Sequence, residues 1–276
     1  MAINDELGTR MKTFYEQVPK TRLVRRMPVA IRIDGKTFHT FTRGFQKPFD
    51  EVLIKSMQRT MFYLCKNIQG CIFGYSQSDE VTLILIDYQK LDSSAWFDYE
   101  VQKMCSIAAS MATMAFNRFF REEIATFQWR VNNAFTYTEA EDKLCKAYEK
   151  ALATGAMFDA RCFNIPKEEV CNLIYWRQLD AIRNSIQMVG QANFSHKELH
   201  GKSCNMIKDM LHEEKGINWD DFPTHQKRGS ACRKVEQTVN IAGTIDTIST
   251  WEIDLEMPIL KGKDREYVDK LVYIGD

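Results

Sequence analysis

Several features that would place a protein in a special class are missing from this sequence. There is no run of about 18 apolar residues, so we expect no membrane-spanning helix. The eight cysteines form no Cys-x-x-Cys pair and show no zinc-ligand spacing, and the first residues do not resemble a secretory signal. We therefore expect free thiols and a cytoplasmic location. Internal repeats and low-complexity segments are also absent.

The formal net charge is zero, because 37 Lys and Arg residues balance 37 Asp and Glu residues. The overall charge therefore does not indicate a nucleic-acid partner, and any RNA must bind through local basic patches. The hydrophobic fraction of 45% and the charged fraction of 27% are those of an ordinary globular protein. A length of 276 residues fits one large domain or two small ones.

Two short acidic stretches, 32–39 and 74–80, stand beside apolar runs with the character of β-strands. Asp34 follows the first apolar run, and Asp79 precedes the second. If the two strands are neighbours in one sheet, the two carboxylates meet at one edge, where they suit a hard cation such as Mg²⁺. The alternative is that Asp34-Gly35 is only a turn and Asp79-Glu80 a solvated hairpin tip.

The order of predicted elements is strand, helix, strand, strand, helix, strand, which is the ferredoxin-like arrangement. Polymerase palms and nucleotidyl cyclases share it, although a fold alone does not define a function. The elements are Val29–Ile33, a helix with Pro48 in its first turn that ends near Gly70, Cys71–Tyr75, Val81–Ile86, a helix over 97–121, and Phe158–Asn164.

Outside this core the pattern predicts mainly helices and one hairpin. The fold class is thus α+β, a βαββαβ palm with an added helical C-terminal region, divided into domains at 1–166 and 167–276. The predicted additions are a helix over 1–20, a loop over 36–47, a charged helix over 139–153, helices over 168–190 and 203–215 with Ser203 as N-cap, and a hairpin over 224–256 around Gly243.

Four blocks of this sequence resemble the tRNA(His) guanylyltransferase family, and more closely its bacterial guanylyltransferase-like branch. These enzymes add nucleotides in the 3′-to-5′ direction. The matching residues are Arg32-Ile33-Asp34-Gly35 with Phe38-His39, Lys47-Pro48 and Asp50; Gln77-Ser78-Asp79-Glu80; Trp176-Arg177-Gln178 with Asp180 and Asn184; and Lys227-Arg228-Gly229.

The resemblance implies a nucleotidyltransferase that uses two Mg²⁺ ions and takes ATP and GTP as substrates. Asp34 and Asp79 would be catalytic, and with the carbonyl of Gly35 they would hold the metals. The implied nucleotide-binding residues are Lys36, Thr37, Phe38, His39, Lys47, Asp50, Ser78 and Lys103. The role of Glu80 is left open between support of the metal site and a solvated hairpin residue.

Basic residues gather at two places in the C-terminal half, and we expect them to contact tRNA phosphates. They are Lys197 and Lys202 in one patch, and Lys227 and Arg228 in the other. Solvated surface charge is the alternative. His196 and His200 are four residues apart, but their context is not that of a zinc-binding helix. The family resemblance further implies a homotetramer.

One departure from the family pattern bears on the activity. Eukaryotic members specific for tRNA(His) carry a His-Ile-Asn-Asn-Leu-Tyr-Asn run, where this chain has the residues 182–188 with Asn184 but no histidine. This favours template-dependent repair of tRNA 5′ ends over addition of one G to tRNA(His). A nucleotidyl cyclase-like enzyme and a non-catalytic RNA-binding protein are the alternatives of other classes.

Overall fold

The computed structural model describes residues 5–134, 138–241 and 244–274. Six strands form one sheet in the order β4-β1-β3-β2-β5-β6, and every neighbouring pair is antiparallel. The strands are β1 (Val29–Gly35), β2 (Cys71–Gln77), β3 (Glu80–Leu85), β4 (Phe158–Asn164), β5 (Ser230–Ile241) and β6 (Thr244–Asp254). Among the described residues, no helix has the length and apolar character needed to cross a membrane.

Helices cover both faces of this sheet. They are α1 (Glu6–Met11), α2 (Phe38–Phe41), α3 (Glu51–Asn67), α4 (Val101–Asn132), α5 (Glu139–Thr154), α6 (Lys167–Asn193), α7 (His196–Leu199), α8 (Cys204–Lys215), α9 (Thr224–Arg228) and α10 (Glu266–Val272). Short 3-10 helices span Trp96–Tyr99, Trp219–Asp221 and Gly262–Arg265, and a π-helical turn spans Lys12–Glu16. All eight cysteines are free thiols.

The predicted ferredoxin-like core is confirmed, with β1, α3, β2, β3, α4 and β4 in the expected order. The predicted hairpin is confirmed in its two strands, and β5 pairs with β2, so it extends the core sheet. Its first residues, 224–228, form α9 instead, and the predicted turn at Gly243 lies outside the described residues. Ser203 caps α8 as predicted, accepting a hydrogen bond from the N–H of Met206.

Several predicted helix bounds are wrong. The helix after β1 starts at Glu51 and not at Pro48, because the Asp50 side chain accepts a hydrogen bond from the N–H of Leu53 and acts as N-cap. The predicted loop over 36–47 contains the short helix α2. Of the predicted helix over 1–20, residues 1–4 lie outside the described part of the chain, and within 5–20 the helical residues are those of α1 and the π-helical turn.

The helix predicted over 97–121 is α4, which begins later and runs eleven residues further, to Asn132. Its buried side chains continue to Val131, while Glu122 and Glu123 in the charged middle pair with Arg59 of α3. The charged middle of α4 is thus paired with a neighbouring helix. Residues 97–99 adopt positive φ and precede the helix.

The alternation along β1 assigns its residues to two buried layers. Val29, Ile31 and Ile33 are fully buried in the cluster that packs against α3 and α4. Ala30 faces the opposite layer, where Val170 and residues of α10 pack. Arg32 and Asp34 lie on the same face as Ala30, because side chains alternate along a strand. This face of the sheet is therefore apolar at Ala30 and charged toward the C-terminal end of β1.

A glycine fixes the junction at which α9 meets the sheet. Gly229 has φ +82°, and a Cβ added there would lie 2.6 Å from the carbonyl O of Ser76 and 2.7 Å from the hydroxyl of Tyr75. Gly216, which ends α8 with φ +65°, has no atom within 4 Å of such a Cβ. Both positions favour glycine by their backbone conformation, but only Gly229 is also enclosed.

We expect Gly229→Ala to lower the free energy of unfolding by more than about 3 kcal/mol, the upper end for a strained residue, because the collision adds to the strain. Gly216→Ala should cost only about 1–2 kcal/mol, the cost of the left-handed conformation. Urea unfolding of both variants measures the difference. Equal losses would show that the β2–β5 junction shifts to accommodate the added methyl group.

Candidate active site

The two predicted carboxylates lie at the same end of the sheet. Asp34 is the penultimate residue of β1 and pairs in register with Glu80, the first residue of β3. Asp79 precedes Glu80 in the turn from β2, and its carbonyl O accepts a hydrogen bond of 3.1 Å from the N–H of Gly35. The sheet register therefore joins the two acidic stretches, although they are more than 40 residues apart in sequence.

The charges of these two carboxylates repel each other. Burial raises the pKa of the Asp79 carboxyl above its ordinary value, and the charge of Asp34 raises it further. The hydroxyl of Ser78 donates to Asp79 Oδ1 at 2.9 Å and lowers that pKa. A cation between Asp34 and Asp79 would remove the repulsion, so the electrostatics of the pair fit a bound divalent ion.

The donor set suits Mg²⁺ held jointly with a substrate. Among the described residues, no three His, Cys, Asp or Glu side chains are grouped to form a metal cage. Mg²⁺ is usually bound by one or two carboxylates together with substrate phosphates and water, and does not need such a cage. Asp34 and Asp79, with the backbone carbonyl of Gly35, supply oxygen ligands of that kind.

The chain after Gly35 turns tightly around an aromatic ring. A Cβ at Gly35 would lie 2.2 Å from a ring carbon of Phe38, so this close approach requires glycine. Thr37 adopts φ 52° and precedes α2. The N–H groups at the start of a helix have no acceptor within it. Those of Thr37, Phe38 and His39 are thus suited to an anionic ligand.

A cleft of about 490 Å³ opens beside this turn and brings together most of the predicted nucleotide-binding residues. Its size suits a small-molecule ligand. Its lining comprises Gly35, Thr37, Phe38, His39, Thr42, Phe45, Gln46, Lys47, Pro48, Asp50, Leu53, Ser78, Asp79 and Met188. Asp79 thus lines a cleft that also contains a lysine and a histidine, and Asp34 directly precedes Gly35 of the same lining.

Three cleft residues that were predicted to bind the nucleotide already make contacts within the protein. Ser78 donates to Asp79 and orients that carboxylate. The Asp50 carboxylate is buried and accepts hydrogen bonds from Gln46 N, Leu53 N and the hydroxyl of Tyr148. These bonds tie the α3 start to α5. His39 is exposed, and its Nε2 lies 3.1 Å from the hydroxyl of Thr40.

Two other predicted nucleotide-binding residues lie outside this cleft. Lys36 lines a neighbouring cleft on the other side of α2 with Arg43 and Lys150. Lys103 lies near the start of α4, with its Nζ 4.7 Å from the ring centroid of Phe97. The part of α4 that approaches the Asp34 end of β1 is near Thr113, in the middle of the helix and about 15 Å along it from Lys103. The structure does not bring Lys103 to the carboxylate pair.

A buried ion pair fixes the turn that carries Asp79. Arg177 of α6 donates to Glu80 from Nε at 2.7 Å and from Nη2 at 3.0 Å, and both side chains are over 90% buried. Arg177 also donates to Asp180 at 2.9 Å, and Arg32 lies 3.2 Å from Glu80. Glu80 is thus buried in ion pairs and is not a solvated hairpin residue, which excludes one of the two alternatives left open by the sequence.

Comparison with known proteins assigns the family. The family model described as tRNAHis guanylyltransferase matches residues 8–166. The chain belongs to the tRNAHis guanylyltransferase family. It is therefore a nucleotidyltransferase, as the sequence predicts.

Solved structures and curated relatives agree with this assignment. The structure of a bacterial tRNA(His) guanylyltransferase-like protein in complex with ATP is 40% identical, with a TM-score of 0.78, and the match covers 98% of this chain and 100% of that one. A complex of such a protein with GTP is 38% identical over the same shares, with a TM-score of 0.75. The tRNA(His) guanylyltransferase of Saccharomyces cerevisiae is 25% identical, covering 80% of this chain and 89% of the relative.

The predicted tRNA-binding residues of this guanylyltransferase family member fall into two groups. Lys197 and Lys202 are exposed on and beside α7. Lys227 is half-buried and donates to the carbonyl O of Asp220, and Arg228 donates from Nε to the carbonyl O of Met257 at 3.1 Å. The first patch is free to meet phosphates, whereas the second is engaged in holding α9 to its neighbours.

Sequence reasoning assigned no role to the guanidinium groups that surround Glu80. Arg32 is two residues before Asp34, so its place on the same sheet face could be inferred from strand alternation. Arg177 is 97 residues from Glu80, and no local pattern connects them. The Trp176-Arg177-Gln178 block was recognised only as a family match.

We expect Arg177→Ala to lower the free energy of unfolding by about 3–5 kcal/mol, because buried Glu80 would lose the partner that makes both of its guanidinium hydrogen bonds. Arg183→Ala is the matched control, since Arg183 also pairs with Asp180 on α6 but is 60% exposed. An exposed pair contributes about 0–1 kcal/mol. Urea unfolding compares the two, and equal small losses would contradict a structural role for the Glu80–Arg177 pair.

Proposed function

We propose that this family member adds nucleotides to the 5′ end of tRNA in the 3′-to-5′ direction, under the direction of the opposite strand. The observation that carries the proposal is that Asp79 lines a cleft with Lys47 and His39, while the sheet register pairs Asp34 with Glu80, the residue that follows Asp79. The cleft suits a nucleoside triphosphate, and relatives of this fold have been solved with ATP and with GTP.

The proposed reaction has two steps. A tRNA 5′-monophosphate attacks the α-phosphorus of ATP and releases pyrophosphate, which leaves an adenylylated 5′ end. The 3′-hydroxyl of an incoming nucleoside triphosphate then attacks the activated 5′-phosphorus and releases AMP. A tRNA that already carries a 5′-triphosphate would not need the first step.

The residues of the chain act mainly by positioning and by balancing charge. Asp34, Asp79 and the Gly35 carbonyl would hold two Mg²⁺ ions, which supply positive charge to the attacking and leaving oxygens when bound. Ser78 orients Asp79, and the Glu80–Arg177 pair holds its turn in place. Lys47 and the N–H groups of residues 37–39 would bind the triphosphate.

The helix that carries the departure from the tRNA(His)-specific pattern supports template-directed repair. Arg183 pairs with Asp180, and Ser185 donates to the carbonyl O of Lys227 at 3.0 Å. These side chains are occupied within the protein. We therefore propose that base pairing with the acceptor strand, and not one anticodon, selects the nucleotide. The names of the curated relatives favour the other candidate, addition of G to tRNA(His).

The further properties expected from the sequence and from the family resemblance stay predictions. They are the tRNA phosphate contacts of Lys197, Lys202, Lys227 and Arg228, the ATP-activation role of Lys103, the division into domains 1–166 and 167–276, the homotetramer and the cytoplasmic location. The pairing of β5 with β2 means that the second predicted domain would share the sheet of the first.

The proposal predicts that the added nucleotide follows the template base. A tRNA lacking its first 5′ nucleotide is prepared with each of the four bases opposite the gap, and the four nucleoside triphosphates are supplied separately. Correct pairs should be preferred by on the order of 1–3 kcal/mol, the size of a good specific base contact. Addition of G regardless of the template, and only to tRNA(His), would support the alternative. Cyclic nucleotide without labelled RNA would indicate a cyclase.

We expect Asp79→Asn to reduce nucleotide addition by more than about 100-fold, since loss of a group that only supports metal ligands already costs about 10–100-fold. The free energy of unfolding should not fall, because burial and the charge of Asp34 both disfavour the ionised carboxyl. Asp98→Asn, at a 69% exposed position, is the control. Near-normal extension by folded Asp79→Asn would overturn the metal assignment.

A further inference from the structure

Trp176 is a large apolar side chain that the fold leaves open to solvent. Trp176 lies on α6 and is 52% exposed. Two guanidinium groups lie beside the indole, with the Cζ of Arg177 at 4.5 Å and that of Arg32 at 5.8 Å from the ring centroid. Arg177 is committed to Glu80, so its place is explained by the ion pair, but the exposure of the indole is not.

The indole lies close to the proposed metal site. Arg32 precedes Asp34 by two residues on the same face of β1, a spacing of about 6.8 Å along a strand. On this face the register pairs Arg32 with Arg161, and Asp34 with Asp159, both on the edge strand β4. Trp176 thus borders a charged sheet surface that leads to Asp34.

This sheet surface is open, unlike the rest of the same face. Further down the sheet, Ala30 is fully buried in the layer of Ile174 on α6. The side chains of Arg161 and Asp159 are 51% and 60% exposed, and they pair with each other at 3.0 Å. An exposed pair of this kind is weak and can exchange partners with a phosphate at little cost.

The open surface is separate from the nucleotide cleft. None of the residues Arg32, Arg161 and Trp176 is among those that line the cleft with Lys47 and His39. The surfaces on the two sides of the Asp34–Asp79 pair therefore differ in form. One is a cleft with the size of a mononucleotide, and the other is an open face with an aromatic platform and exchangeable charges, which suits a polymer.

We propose that Trp176 stacks on the terminal base at the 5′ end of the tRNA, with Arg161 beside its phosphate. This inference rests on the proposed function, because it assigns the tRNA end to the open side of that same site. Stacking on an aromatic ring tolerates every base. It therefore suits an enzyme in which base pairing, and not the protein, reads the sequence.

The test combines protein variants with a tRNA that lacks the base. Trp176→Ala removes the platform, Trp176→Phe keeps an aromatic ring, and Trp176→Leu keeps apolar volume without one. The control is Trp129→Ala, a 69% exposed tryptophan on α4, which packs against the opposite face of the sheet. Each protein is titrated with a 5′-truncated tRNA and with the same tRNA carrying an abasic nucleotide at its 5′ end.

We expect Trp176→Ala and Trp176→Leu to weaken binding of the normal tRNA by between about fivefold and about 150-fold, the range for loss of one stacked base. Trp176→Phe should bind within a few-fold of the wild type, and Trp129→Ala should be unchanged. On the abasic tRNA, all variants should bind equally. Equal effects on both tRNAs, or no effect on either, would overturn the inference.

Urea unfolding of the same variants separates stacking from loss of structure. If Trp176 only packed within the protein, its variants would lower the free energy of unfolding, Trp176→Leu would lower it least, and binding of both tRNAs would change alike. The experiment also separates this inference from the proposed function. If the wild type binds tRNA but adds no nucleotide, the proposed function fails while the stacking comparison still gives a result. If extension follows the template but Trp176→Ala binds normally, only the stacking inference fails.

Discussion

The buried pair of Glu80 and Arg177 is the interaction on which the geometry of this site depends. Glu80 directly follows Asp79, and Arg177 belongs to a helix that lies outside the palm core in sequence. Because a buried carboxylate without a partner is costly, the turn between β2 and β3 cannot leave α6 without a large loss of stability. The position of Asp79 is therefore fixed by the C-terminal half of the chain as well as by the sheet.

Asp79, one residue before Glu80, is in the opposite electrostatic situation. Among the described residues, no cation pairs with Asp34 or Asp79 as Arg177 pairs with Glu80. The two carboxylates repel each other, and burial adds to the cost of charging Asp79. The site thus contains one carboxylate that the protein neutralises, that of Glu80, and two that it does not, those of Asp34 and Asp79. A divalent cation with substrate phosphates would complete this arrangement, which is why the charge pattern and the proposed chemistry agree.

Much of this arrangement could be predicted from the sequence. Apolar runs predicted the four core strands, and the acidic residues at the ends of two of them predicted a candidate site. The structure shows that these two strands are neighbours in the sheet. The partner of Glu80 could not be predicted, since residues 97 positions apart meet only through tertiary packing. Family matching alone also gave Asp50 a nucleotide contact, whereas the structure shows a helix cap bonded to Tyr148.

The charge of a residue, or its match to a family position, does not reveal its direction or distance in the fold. Lys103 lies about 15 Å along α4 from Thr113, where that helix approaches the end of β1. The two cations of the second patch donate to backbone carbonyls. Backbone acceptors of this kind leave no trace in a sequence, so a basic patch and an internal hydrogen-bond network look the same.

The central claim is that Asp34 and Asp79 together hold divalent cations beside a bound nucleotide. Electron paramagnetic resonance with Mn²⁺ in place of Mg²⁺ tests it most directly, by counting the ions bound in the presence of GTP. The account predicts two bound ions for the wild type and a loss of binding in both Asp34→Asn and Asp79→Asn. The same number of ions bound with the same affinity in all three proteins would contradict it.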